Sequence, residues 1–315
     1  MVLKRTVSEA RTVIGTVGQL RRSSDLPRRF RERGKSSSSC SLDVSRSRPT
    51  AEGYCARMLN VHRYGPWQGS AGTPVVLAIH GVTGHGARWR EFADSELRGV
   101  RVLAPDLRGH ARSTWEPPWN FEQLVADLVE VLEEEPLGPV TVVGHSLGGA
   151  LACRLAQARP DLVSALLLVD PAQGLDAAMC LTIAEETVAH FDFGSVQEAR
   201  DDKTSGAWAN VPSEMLDTEI AEHLVRRDTG RWEWDVSCPA VAAMWGELAR
   251  PAVPPPAGIP TTVLRAARAP FVTDAVVAVL PESARVIVVD SDHMVTQEQP
   301  TIAGEHLRRL MGPRS

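Results

Sequence analysis

Six short runs rich in Val, Leu and Ile punctuate this chain: Val75 to Ile79, Val100 to Ala104, Val140 to Val143, Ala165 to Val169, Thr261 to Leu264 and Val286 to Val289. Runs this uniformly apolar have no polar face to offer water, so they read as central strands of a sheet covered on both sides. Helical patterns lie between them, and that alternation is the signature of βαβ units and a mostly parallel sheet. Leu59 to Tyr64 reads as a first strand ahead of the series. The expected fold class is therefore α/β. With 315 residues, 43% of them hydrophobic, the chain can bury one large core and still carry an inserted subdomain.

Two helices are marked clearly. Asn120, with Gln123 three residues on, is an N-cap and capping-box-like pair followed by Leu124, Leu128 and Val131, and Pro136 and Gly138 end it. The second runs from Leu147 to Ala158, starting from a glycine-rich turn after Val143 and ending before Pro160. Residues 171 to about 257 break the rhythm, with 15 acids against 6 bases, no strong strand pattern, and four of the eight tryptophans: Trp208, Trp232, Trp234 and Trp245. A separate helical subdomain is expected there, closed by Pro251, Pro254, Pro255, Pro256 and Gly258. Beside a site it would be a lid, its tryptophans forming its own core with at least one facing the cleft.

Charge divides the chain unevenly. Residues 1–57 hold 13 Lys and Arg against 5 Asp and Glu, whereas the remainder holds 21 against 34. The first segment has little hydrophobic periodicity and is expected to be disordered. A transit peptide, a nucleic-acid tail and sequence upstream of a true start at Met58 compete to explain it, and the third is favoured because Met58 directly precedes the first strand. The expected organisation is a disordered basic extension at 1–57, a core at 58–172, a helical lid or cap at 173–257 and the rest of the core at 258–315. No apolar run reaches the 18 or so residues needed to span a bilayer, and no long apolar h-region supports export. Cys40, Cys55, Cys153, Cys180 and Cys238 are odd in number and form no Cys-x-x-Cys pair, so reduced thiols in a cytoplasmic protein are expected, with no metal.

The chemistry concentrates in Gly144-His145-Ser146-Leu147-Gly148-Gly149. A G-x-S-x-G turn between an apolar strand and an apolar helix is the context of a nucleophile elbow, which makes Ser146 the candidate nucleophile. A serine hydroxyl needs a base, late in the chain for this fold order, and His293 follows the last apolar run through the polar turn Asp290-Ser291-Asp292. His306, in the terminal helix, reads as packing or surface. An oxyanion needs two backbone N–H groups, one after the nucleophile and one after an earlier strand. Leu147 supplies the first, and His80-Gly81-Val82 turns the chain so that the Val82 amide supplies the second. His85, His110 and His145 are expected to shape loops, and Asp106 and Arg108 to tie them.

Together, Val75-Val76-Leu77-Ala78-Ile79-His80-Gly81, Asp106-Leu107-Arg108-Gly109-His110, the elbow and Asp292-His293 resemble the α/β-hydrolase superfamily over residues 58–315. The resemblance implies a serine hydrolase of the esterase and lipase kind, with a lid inserted after the strand ending at Asp170. A serine at 146, where dehalogenases and epoxide hydrolases carry aspartate, points to ester, thioester, lactone, amide or C–C bond hydrolysis. The acid departs from the common pattern, because the loop Arg265 to Pro270 holds no carboxylate. Some branches place the acid directly after the strand following the elbow, which implies Asp170, with Asp274 in reserve. The competing role for Asp170 is a strand-end aspartate bound to the backbone of Pro171-Ala172.

The expected function is a cofactor-free hydrolase of carboxylic ester-type substrates, working through a Ser146-His293-Asp170 triad and an acyl-enzyme. Its expected partner is a small, largely apolar acyl substrate and not nucleic acid. A C–C bond hydrolase, an acyltransferase or a perhydrolase would use the same residues, and a non-catalytic ligand-binding scaffold would keep the fold without turnover.

Overall fold

A computed structural model describes residues 58–68, 74–135 and 137–312, so the expectations for 1–57 lie outside the described residues. In chain order the elements are β1 (Val61–Tyr64), β2 (Val75–Ile79), α1 (Arg90–Glu96), β3 (Arg101–Pro105), α2 (Phe121–Glu133), β4 (Val140–His145), α3 (Leu147–Ala158) and β5 (Val163–Val169). There follow α4 (Ala177–Ala189), β6 (Asp192–Phe193), α5 (Val196–Thr204), α6 (Ser213–His223), β7 (Leu224–Arg226), β8 (Trp232–Trp234) and α7 (Cys238–Leu248). The chain ends with β9 (Thr261–Ala266), α8 (Asp274–Ala278), β10 (Arg285–Val289), α9 (Val295–Glu298) and α10 (Pro300–Met311).

Seven strands pair in the order β1-β3-β2-β4-β5-β9-β10, with β1 antiparallel and every other pairing parallel. Successive side chains of a strand point to opposite faces, and the inner strands use both. Leu77, Ile79, Val142, Leu166 and Leu168 face the core covered by α2 and α3. Val76, Ala78, Val143, Leu167 and Val169 face the other, against Phe92 and Ala93 of α1 and Ala303 and Leu307 of α10. From β2 the chain goes to β3 on one side and returns to β4 on the other. That reversal is a topological switch point, and crevices for ligands open at the carboxyl ends of strands there.

The run Val286 to Val289 is not a central strand. It is β10, at the sheet edge with β9 as its one neighbour, and Val286 and Val288 are exposed. Asn120 caps α2 by accepting from the Gln123 amide at 2.9 Å, but the capping box is not reciprocal. The Gln123 side chain donates to Asp127 instead, and Asp127 is held by Arg108 through two hydrogen bonds of 2.8 Å.

The segment between β5 and β9 also differs from expectation. It contains four helices and a three-stranded antiparallel sheet, β6-β8-β7. Strands of two or three residues are too short to show a period of two. Most of its apolar side chains share the core of the main sheet: Cys180, Ile183, Phe193, Trp234, Met244, Trp245 and Leu248 join that cluster, while Trp208, Val211 and Leu216 form a smaller one with Met294.

A buried ionic cluster also ties this insertion to the core. Glu219 of α6 receives Arg88 Nε at 3.1 Å and Lys203 Nζ of α5 at 2.5 Å, and pairs with His85 Nε2 at 3.0 Å. Burial alone would raise the Glu219 carboxyl, but Arg88, Lys203 and His85 outweigh it and hold it well below the carboxylate range. Burial pulls Lys203 down to about 8.

Removing Glu219 leaves Arg88 and the buried Lys203 without their counter-charge. Glu219→Ala should therefore destabilise the fold by about 3–5 kcal/mol in chemical denaturation. Asp161→Ala, which breaks the exposed pair with Arg159, should leave the midpoint unchanged. A depressed carboxyl stabilises at pH values above its unfolded range and loses that contribution as pH falls through its folded value. The Glu219→Ala deficit should accordingly be full near neutrality and shrink in acid.

Candidate active site

β4 delivers the serine at the switch point. Ser146 has φ +56° and ψ −119°, a region that a residue with a side chain occupies only when its surroundings hold it there. The hold is dense: the Ser146 amide donates to Val169 O at 3.0 Å, and its carbonyl accepts from Gly149 N at 2.9 Å and Ala172 N at 3.1 Å. Close approach explains the flanking glycines. A Cβ on Gly144 would meet Gly148 O at 2.2 Å, and one on Gly148 would meet Ile79 O at 2.2 Å.

Asp170 ends β5 with φ +40° and is fully buried. Its Oδ1 accepts from Ala266 N at 3.0 Å, and its Oδ2 receives His293 Nδ1 at 2.6 Å. The backbone bond thus runs to β9 and not to Pro171-Ala172. The reserve acid Asp274 opens α8, exposed, and pairs with Arg265 at 3.1 Å. His293 lies in the loop after β10, its ring 4.3 Å from Phe271 and 4.5 Å from His145 between centroids. Phe271 in turn packs at 6.4 Å on Trp245 of α7, so an insertion tryptophan reaches His293 through one intervening ring. No hydrogen bond joins the Ser146 hydroxyl to His293 as they stand. Such bonds are often loose before substrate arrives.

The amides of Val82 and Leu147 have no acceptor among the described residues. Gly81 packs on the serine, since a Cβ there would stand 3.0 Å from Ser146 Cβ. Two histidines set the direction of the Val82 amide. His80 Nε2 accepts from Leu107 N at 2.9 Å, which places its proton on Nδ1, and Nδ1 donates to Gly81 O at 2.8 Å. Gly84 N donates to the same carbonyl at 3.0 Å. In a trans peptide the N–H points opposite its C=O, so fixing Gly81 O fixes the Val82 N–H. His110 Nε2 donates to Val82 O on the far side. Burial, with His110 second, holds His80 far below the usual imidazole value, and burial lowers His110 as well.

Among the described residues no group of three or more His, Cys, Asp or Glu could hold a metal ion, and no helix is long and apolar enough to cross a membrane. A cavity of about 500 Å³ opens between α1 and α6, lined by Arg88, Arg90, Glu219 and Glu222 and not by Ser146.

Residues 75–303 match the model of the α/β-hydrolase family. The chain is a hydrolase and belongs to that family. Lipase LipV of Mycobacterium tuberculosis is 44% identical over 262 residues, covering 81% of this chain and 98% of the relative. Esterase Rv0045c of the same organism is 32% identical over 267 residues, 79% of this chain and 85% of the relative. Among solved structures, an E-2-(acetamidomethylene)succinate hydrolase superposes with a TM-score of 0.68 at 21% identity, covering 81% of this chain and 95% of the other.

Within this hydrolase, sequence patterns led to Ser146, His293, Val82 and Leu147 and to Trp245 as one of the insertion's tryptophans, family likeness led to Asp170, and nothing led to Phe271 or Glu219, whose neighbours are remote in the chain. The close approach at the elbow has a direct consequence. Gly148→Ala should cost at least about 1–3 kcal/mol, because backbone and not a flexible side chain must yield. Gly246→Ala, where a Cβ meets nothing within 4 Å inside α7, should stabilise by up to about 1 kcal/mol. Thermal melts of the two variants test the contrast.

Proposed function

We propose that the protein is a serine hydrolase of carboxylic ester-type substrates acting through an acyl-enzyme. The observation that carries this reading is the buried 2.6 Å pair of His293 Nδ1 with Asp170 Oδ2 beside a serine held at φ +56°. The names lipase and esterase borne by the relatives support the ester among the bonds a serine nucleophile can cleave.

In this reading His293 Nε2 takes the Ser146 proton as Oγ attacks the carbonyl carbon, and Asp170 stabilises the imidazolium and fixes the ring tautomer. The amides of Val82 and Leu147 receive the oxyanion, pre-aimed so that no reorganisation is needed as charge develops. His293 then passes the proton to the leaving alcohol, and a water attacks the acyl-enzyme by the same route in reverse. The insertion acts as the lid. Phe271 against the His293 ring, backed by Trp245, puts apolar side chains beside the base, which favours an apolar acyl group. We place the enzyme in the cytoplasm, in keeping with the free thiols of Cys153, Cys180 and Cys238.

A fluorophosphonate probe should label the wild type and not Ser146→Ala, and a well-folded wild type that resists labelling would sink the proposal. Asp170→Asn should lower kcat toward short-chain esters by about 10⁴. The asparagine keeps an oxygen to accept from Ala266 N, so the melting temperature should barely move.

A further inference from the structure

His145, the residue before the nucleophile, is buried, and its side chain does not end in a mere packing contact. Its Nε2 lies 2.9 Å from the backbone carbonyl oxygen of His293. A carbonyl only accepts, so Nε2 carries the proton and donates. Burial, and after it the proximity of His293, keeps the His145 ring far below the ordinary imidazole value, so it stands as a neutral donor. The ring is wedged in place, 4.5 Å from the His293 ring and with its Nδ1 3.3 Å from where a Cβ of Gly81 would stand.

The base needs such an anchor. His293 belongs to no helix or strand, and its loop follows β10, the edge strand. The bond to Asp170 fixes Nδ1, but a ring held at one nitrogen can still pivot about that bond, and it is the opposite nitrogen that must meet Ser146 Oγ. Fixing the backbone of residue 293 removes the pivot. The donor that does so springs from β4, one residue before the nucleophile, so nucleophile and base share a single rigid mounting.

We propose that His145 is a positioning residue for the general base: its Nε2–H to His293 carbonyl bond sets the reach of His293 toward Ser146. The inference rests on the triad reading above. His145→Phe keeps a ring of similar size and removes the donor. It should lower kcat by about 10–100-fold and slow fluorophosphonate labelling to match, with KM within about twofold, the scale expected when a reacting group is misplaced by about an ångström. His145→Gln restores an N–H at similar reach and should recover most of the loss, whereas the shorter His145→Asn should not.

A role in packing alone would lower the melting temperature of His145→Phe while leaving kcat intact well below it, and that result would overturn the proposal. If His145→Phe does not fold, the Asn and Gln variants decide, and equal kcat in the two would overturn it. An unlabelled wild type would sink the triad and this inference together. A labelled, active wild type with fully active His145 variants would sink this inference alone.

Discussion

The close seating of α3 against the ends of β2 and β4 is the constraint on which the site depends. Gly148 lies so near Ile79 O that no side chain fits, and this contact brings the loop after β2 and the elbow into one packed unit. Left-handed backbone at Ser146 and Asp170 costs on the order of 1–3 kcal/mol at each position. The inner sheet offsets that readily. Leu147, Leu151, Leu155, Leu166 and Leu168 are all fully buried around it, each worth roughly 1.5–3 kcal/mol of apolar burial. The strain persists because the residues that impose it cannot relax without opening the core.

Histidine has two physical fates here, decided by the partner of its N–H. His80, His110 and His145 each donate to a backbone carbonyl: Gly81 O, Val82 O and His293 O. A neutral acceptor in a dry interior gives little support to a cation, so burial dominates and lowers all three rings, which serve as fixed donors. His293 instead faces the buried carboxylate of Asp170, the pairing on which the proposed triad rests.

Much of this was legible in the sequence because parallel strands buried on both faces must read as continuous apolar runs. The same rule misread β10, whose valines are as apolar as those of a central strand although Val286 and Val288 meet solvent. The sheet of the insertion left no mark, since β6 has two residues and β7 and β8 three each. Ser146 could be read from a local turn. Asp170, 123 positions from His293, could be chosen only through family likeness, because it is sheet register and not spacing that brings them together. Glu219 reads as an ordinary helix glutamate. Its partners come from the core loop after β2 and from α5, and nothing local announces them.

The position of the acid follows from that register. β4 and β5 run parallel with His145 opposite Val169, so the next residue of each strand, Ser146 and Asp170, leaves the sheet at the same level. The ladder continues past both: the Ser146 amide donates to Val169 O, and the Asp170 amide to Leu264 O at 2.7 Å. Ser146 and Asp170 are thus neighbours at the end of one hydrogen-bonded ladder, and the separation of their backbones is fixed by strand spacing. With the carboxylate on β5, the loop after β9 is free for another purpose. Arg268 reaches from it to Asp290 and to Asp292 at 2.9 Å, on the loop that carries His293, and to Glu298 of α9 at 3.2 Å. Those pairs are partly exposed and individually weak. They hold the outside of the loop that carries His293, and the buried bonds from His145 and Asp170 hold its inside, so this irregular segment is fastened on both faces.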